Sequence, residues 1–158
     1  MEIKIRDVLA KDLDEVKKIA KYEFDDFFDG DYEKMMTDNN YKFVVALIDD
    51  KVCGFLILLM VDEKAEVIKV ATGTSFRRMG VAKTLMEFGI AYARERLKTG
   101  VILEVNEKNE PAKQLYQKLG FVPIHIRKNY YNKYYEKEYS NITYYSCIMS
   151  ILPSTTLC

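Results

Sequence analysis

The chain has 158 residues, with 24 basic and 24 acidic side chains, 49% hydrophobic and 30% charged residues. That length suits one domain built on one sheet with packed helices, and the composition excludes a disordered or fibrous chain. Balanced charge predicts no overall pull toward nucleic acid, and the longest apolar run, residues 52–61, falls short of the ~20 residues that span a bilayer.

Ile3, Ile5 and Val8 alternate with charged residues and predict a first strand. Residues 11–21 read as a helix, with Asp12 as N-cap, Glu15 three residues on, and Leu13, Val16, Ile19 and Ala20 on its apolar face. Residues 22–31 form an acidic, aromatic loop, and residues 32–36 a short helix. Strands follow at 42–48 and 52–60, joined by the turn Asp49-Asp50-Lys51, and at 65–72. Residues 73–78 are a loop. Residues 80–96 form a helix in which Val81, Leu85, Phe88 and Tyr92 recur at helical spacing. Gly100 ends that unit, and residues 101–105 are a buried strand. Asn109 caps a helix over 109–119, with Gly120 at its C-terminus. Strands at 121–126 and 143–152 close the domain, and residues 153–158 form a loose tail. This order of elements gives a mixed α/β sheet with helices on its faces, not a repeat of parallel βαβ units.

Residues 1–7 lack a signal-peptide core. The three cysteines, Cys53, Cys147 and Cys158, have no regular spacing, so neither a disulfide framework nor a zinc site is expected. A reducing cytoplasm fits best. His125 reads as structural, and Cys53 and Cys147 as small buried hydrophobes.

The segment with most chemical content is Arg77-Arg78-Met79-Gly80-Val81-Ala82, where a strand runs through a loop into a helix. The first turn of a helix carries backbone N–H groups without intrahelical partners, and with the aligned peptide dipoles they attract anions. Gly80 and Ala82 lack bulk, so a pyrophosphate can approach the backbone, and Arg77 and Arg78 add charge beside it. A mononucleotide P-loop would need Gly at 77 and 82 ahead of Lys83-Thr84, and the chain has Arg77 and Ala82. A dinucleotide fingerprint is also missing. The remaining pattern is Gln or Arg, two residues, Gly, one residue, Gly or Ala.

That pattern resembles the acetyl-CoA signature of the GNAT superfamily. The resemblance continues through Leu103-Glu104-Val105, Asn109, Leu115-Tyr116, Leu119-Gly120-Phe121 and Arg127 to Tyr131, over about residues 66–151. The series is similar to the RimI-type and eukaryotic-type protein N-terminal acetyltransferases. Thr72 and Thr74 stand where family members often carry a branched apolar residue and a proline. The resemblance implies the acyl-CoA N-acyltransferase fold, a mixed, mostly antiparallel sheet flanked by helices. It implies acetyl-CoA as cofactor, held by Val70, Thr72, Arg77, Arg78, Met79, Gly80, Val81, Ala82, Lys83, Thr84, Asn109 and Tyr116. It also makes Val70 the candidate backbone oxyanion donor. No metal is expected.

Acetyl transfer to an amine needs a neutral nucleophile, oxyanion stabilisation and a proton for the departing thiolate. Glu104 interrupts the apolar strand Val101 to Val105; alternation reads it as a solvent-facing carboxylate, whereas the resemblance makes it the general base, set against an apolar wall. Tyr116 reads as a core tyrosine beside Leu115 and Leu119, one of twelve tyrosines; the resemblance makes it the general acid. Asn109 reads first as a helix cap.

The acceptor is expected to be a protein N-terminus, a ribosomal protein among the candidates. At pH 7 roughly 10% of α-amines are neutral, against about 0.04% of lysine side chains, so one modest base suits the former. By resemblance, Tyr130 and Tyr131 line the peptide entrance, with Phe27 and Phe28 on the opposite wall. Rival readings are a small-molecule amine acetyltransferase on the same fold and a non-catalytic CoA-binding subunit of a complex. No nucleic-acid or membrane partner is expected, and the chain is read as a monomer or homodimer.

Overall fold

The computed structural model describes residues 1–24, 31–127, 131–132, 137–138 and 142–148. The chain forms two compact units, one of Met1–Asp62 and Val67–Gly89, the other of Glu63–Glu66 and the residues from Ile90 onward.

In the first unit, β1 (Lys4–Asp7) pairs antiparallel with β2 (Tyr41–Ile48), which pairs antiparallel with β3 (Lys51–Val61), and β4 (Lys64–Thr72) lies next to β3. Between β1 and β2 come α1 (Leu13–Phe24) and α2 (Tyr32–Thr37). The predicted Asp12 cap is corrected. Asp12 closes a short 3-10 turn, Ala10–Asp12, ahead of α1. Its carboxylate accepts the Leu9 N–H at 2.7 Å and two Arg6 N–H bonds at 2.7 and 3.1 Å. Asp12 is only 4% exposed, and a buried carboxylate must find donors. Arg6 supplies most of them and holds the Asp12 carboxyl below its usual range, against the effect of burial.

Leu13, Val16, Ile19 and Ala20 are buried as their spacing predicts. Helix α1 runs on to Phe24, so it takes in the start of the expected loop. Asp31 caps α2 by accepting the Lys34 N–H at 2.9 Å. The β2–β3 turn has two residues, Asp49 and Asp50, both left-handed (φ 50° and 64°), as a tight hairpin demands; Lys51 belongs to β3.

Alternation divides β3 between two layers. Phe55 and Ile57 pack with Phe43, Val45, α1 and α2 in one core cluster. Gly54, Leu56 and Leu58 lie under the start of α3 (Val81–Glu95), with Val81 and Leu85 against Gly54 and with Gly89 against Leu56 and Leu58. A Cβ on Gly54 would meet the Ala71 carbonyl oxygen at 2.7 Å and a Val81 methyl at 2.8 Å. A backbone oxygen cannot rotate away, so Gly54→Ala is expected to lower stability by about 1–3 kcal/mol. Urea unfolding checks this: the midpoint should fall with an unchanged slope.

In the second unit, the start of β4 pairs in parallel with β5 (Gly100–Asn106), at Lys64↔Gly100, Ala65↔Val101 and Glu66↔Ile102. β5 pairs antiparallel with β9 (Ile142–Ile148), and β9 with β6 (Val122–Arg127). A short ladder of β7 (Tyr131–Asn132) and β8 (Lys137–Glu138) lies between them in sequence and was not expected. The sheet is therefore mixed and mostly antiparallel, as expected. The end of α3 is made by Leu97 at φ 59°, whose N–H and that of Lys98 reach Arg94 and Ala93 carbonyls. Gly100 is the first residue of β5 rather than a helix terminator. Helix α4 spans Glu110–Lys118. Residues 149–158, including the expected end of the last strand and the tail, lie outside the described residues.

Candidate active site

The loop after β4 builds an anion-ready helix start. A 3-10 turn, Thr74–Phe76, leads into Arg77 in extended conformation. Arg78 (φ 64°) and Gly80 (φ 83°) are both left-handed. The first backbone bond of α3 is Thr84 N–H to the Gly80 carbonyl at 3.0 Å. The amides of Val81, Ala82 and Lys83 therefore precede the intrahelical ladder, at the positive end of a 15-residue helix. The Thr84 hydroxyl donates to the same Gly80 carbonyl at 2.7 Å and ties the turn shut. Val81 is buried and anchors the helix, while Arg77, Arg78, Met79, Gly80 and Lys83 are exposed.

Gly80 needs a different account from lack of bulk. No atom lies within 4 Å of where its Cβ would sit. The glycine is required by its φ, which side chains resist, and the open space beside it leaves room for a ligand. An open turn, unpaired amides and two exposed guanidinium side chains fit the diphosphate of acetyl-CoA.

Val70 and Thr72 are half-buried on β4. The Thr72 hydroxyl is buried and has no hydrogen-bond partner among the described residues. Thr72 lines a cleft of about 190 Å³ together with Glu15, Lys18, Tyr22, Thr74 and Ser75. Lys69, next to Val70, is 9% exposed, and burial pushes its ammonium down to about 7.

The proton-transfer candidates all belong to the second unit. Leu103 and Val105 are buried and Glu104 is exposed. The strand alternates as its sequence suggests, and Glu104 is on its open face. A second carboxylate stands near it. Glu66 pairs by register with Ile102, two residues before Glu104 and on the same face of β5. Glu66 is half-buried; burial, and then the charge of Glu104, push its carboxyl up. The sequence reading missed Glu66. Its signal was a charge inside the strand Lys64-Ala65-Glu66-Val67, but the register that brings it to Glu104 is not local.

Tyr116 is buried, 7% exposed, with its ring 5.8 Å from that of Phe121. The end of α4 fixes it. Gly120 (φ 96°) donates to the Gln117 carbonyl and Phe121 to the Tyr116 carbonyl at 2.9 Å, the paired bonds of a Schellman motif. The motif Leu119-Gly120-Phe121 thus locks the backbone of the tyrosine it follows. Asn109 caps α4 by accepting the Ala112 N–H at 3.2 Å. Lys113 binds Glu107 at 3.0 Å and Glu110 at 3.3 Å across the same first turn.

The expected site residues therefore fall in two sets. Val70, Thr72 and the run from Arg77 to Thr84 belong to the first unit; Glu104, Asn109 and Tyr116 belong to the second. Phe27, Phe28 and Tyr130 lie outside the described residues, and Tyr131 is described by its backbone pairing with Glu138. Among the described residues no group of three or more His, Cys, Asp or Glu side chains could hold a metal ion. No described helix is long and apolar enough to cross a membrane.

Comparison with known proteins bears on the same segments. The chain is 26% identical over 147 residues to an N-alpha-acetyltransferase of Sulfurisphaera tokodaii, covering 82% of this chain and 86% of that protein. It is 35% identical over 83 residues to the [ribosomal protein bS18]-alanine N-acetyltransferase of Salmonella typhimurium, covering 52% and 56%. The crystal structure of the ribosomal-protein-S18-alanine N-acetyltransferase from Escherichia coli superposes with a TM-score of 0.80 at 22% identity, covering 98% of both chains. The acetyltransferase (GNAT) family model matches residues 6–121. The chain belongs to the GNAT family and is an acetyltransferase that uses acetyl-CoA.

Proposed function

We propose that this enzyme transfers acetyl from acetyl-CoA to the α-amine of a protein N-terminus. The observation that carries this is the relatives themselves, among them an N-alpha-acetyltransferase matching most of the chain and an alanine N-acetyltransferase matching about half of it. Acetyl-CoA supplies the activated acetyl thioester. The amides of Val81 to Lys83, Gly80, Thr84 and the Arg77 and Arg78 side chains hold its diphosphate. Val70, Thr72, Met79 and Asn109 contact the rest of the carrier, with the Val70 amide as oxyanion donor. Glu104 draws the proton from the acceptor amine, and the Tyr116 hydroxyl returns one to the leaving thiolate.

The test is mass spectrometry of peptide N-termini after incubation with acetyl-CoA, run beside a polyamine and aminoglycoside panel. Peptide α-acetylation is the expected result; turnover confined to small amines overturns the reading. With a reactive peptide in hand, Tyr116→Phe is expected to lower kcat by about 10²-fold or more with little change in KM, the loss typical of a removed general acid. The Phe variant keeps the ring contact with Phe121, so its unfolding temperature checks that the fold is intact.

A further inference from the structure

The cleft between α1 and the loop after β4 is not used by the acetyl transfer proposed above, apart from Thr72. Its volume is about 190 Å³. That is the scale of a small metabolite, below the roughly 300–1,000 Å³ of pockets that hold drug-sized ligands. All of its lining belongs to the first compact unit. Glu15, Lys18, Ile19 and Tyr22 recur at helical spacing and give it one face of α1. Gly73 to Phe76, the turn that leads into Arg77, gives it a second wall.

Three kinds of group meet there. Ile19 is buried, and Val52 and Phe76 are half-buried, so part of the lining is apolar. Thr72 brings a hydroxyl whose oxygen is buried and has no hydrogen-bond partner among the described residues. A buried hydroxyl left unpaired costs free energy until something from outside the protein bonds it. Glu15 and Lys18 bring one charge of each sign, 3.9 Å apart. That distance is too long for a hydrogen bond, and an exposed pair of this kind contributes little by itself. The two charges are therefore available to a ligand that carries the complementary pair. A lone anion would meet the Glu15 carboxylate, and a lone cation the Lys18 ammonium. A zwitterion satisfies both.

We propose that this cleft binds a free α-amino acid with a short, hydroxyl-bearing side chain, and that its occupancy is coupled to acetyl-CoA binding. The ligand carboxylate bonds the Lys18 ammonium, and its ammonium bonds the Glu15 carboxylate. Its β-carbon rests on the apolar lining, and its hydroxyl pairs with that of Thr72. The coupling follows from the shared wall. Gly73 to Phe76 set where Arg77 and the diphosphate turn begin, so a ligand that holds them alters the affinity for the carrier. The carrier alters the affinity for the ligand by the same factor. The inference does not depend on which amine accepts the acetyl group.

Saturation-transfer NMR on the full chain tests it, with L-serine, L-alanine, ethanolamine and acetate as probes. L-Serine should bind with a Kd on the order of 1 mM. L-Alanine should bind about fivefold more weakly, for want of one hydrogen bond. Ethanolamine and acetate each carry one of the two charges and should bind about tenfold more weakly or worse. Glu15→Gln and Lys18→Gln change exposed side chains of α1. Each should weaken L-serine about tenfold with an unchanged unfolding temperature, and Lys18→Arg should retain it. Thr72→Val should erase the preference for serine over alanine. Saturating L-serine should change the acetyl-CoA Kd by about threefold or more in wild type, and not in Glu15→Gln. No binding at about 20 mM, acetate binding as well as L-serine, or an acetyl-CoA affinity indifferent to L-serine overturns the proposal. So does acetylation of L-serine itself, which would make the cleft an acceptor site.

Discussion

Gly80→Val is expected to weaken acetyl-CoA binding by about 100-fold while the sheet and helices persist. Gly80 has φ 83°, a region where a β-branched residue is a true outlier. Holding valine there costs on the order of 1–3 kcal/mol. Relief requires φ to turn negative, and that rotates the peptide planes leading into Val81 and Ala82. The amides then no longer converge, and the Gly80 carbonyl loses its two bonds from the Thr84 N–H and hydroxyl. A clash with neighbouring protein is not the cause, since nothing lies within 4 Å of the new Cβ. Titration calorimetry with acetyl-CoA measures the effect. Gly80→Asn is the informative companion: asparagine tolerates left-handed backbone, so it should recover most of the affinity. Equal losses for Val and Asn would mean that side-chain volume, not backbone direction, decides binding.

How much of this site could be read from the chain depends on how far each interaction reaches. The helix start at Gly80 and the cap at Asn109 are local events, and their residue types announce them. The backbone setting of Tyr116 is local too, because Gly120, which locks it, lies four residues away. The apolar face of α1 follows from burial imposing a period on consecutive residues. Asp12 shows where this fails. Its spacing to Glu15 imitates a cap, but the partner that matters is Arg6 on β1, and no local rule weighs a buried carboxylate against a cation from another element. Glu66 fails for a stronger reason. Its meeting with Glu104 depends on a parallel register between strands separated by a whole helix, and register is a property of the assembled sheet. Gly54 reads as an unremarkable glycine in an apolar strand until the carbonyl of Ala71 and the first residue of α3 are seen against it.

Lys69 carries the second large expectation, and it concerns stability. The side chain is 9% exposed on β4, between the buried Ala65 and Ala71 of the same face. Burial lowers its pKa from 10.5 in the unfolded chain to about 7 in the fold. The sign follows from proton counting. Between those values the unfolded state binds a proton that the folded state refuses, so stability falls as pH drops from about 10.5 toward 7 and then levels off. Each pH unit in that window costs on the order of 1.4 kcal/mol, so the deficit at neutral pH amounts to a few kcal/mol. Methionine has similar length and no charge to desolvate. Lys69→Met is therefore expected to unfold at a higher temperature than wild type at pH 7, and its advantage should shrink steadily as both are measured toward pH 10. Groups elsewhere titrate in that range too, but they are common to both proteins and cancel in the difference. A pH-independent difference, or a variant less stable throughout, would show that the contacts of the lysine outweigh the desolvation of its charge. The same burial keeps much of the Lys69 amine neutral near pH 7, beside the Val70 amide proposed to face the acetyl carbonyl. A stabilised Lys69→Met that keeps full kcat would separate the lysine's desolvation cost from the reaction, and one that loses kcat would tie that cost to it.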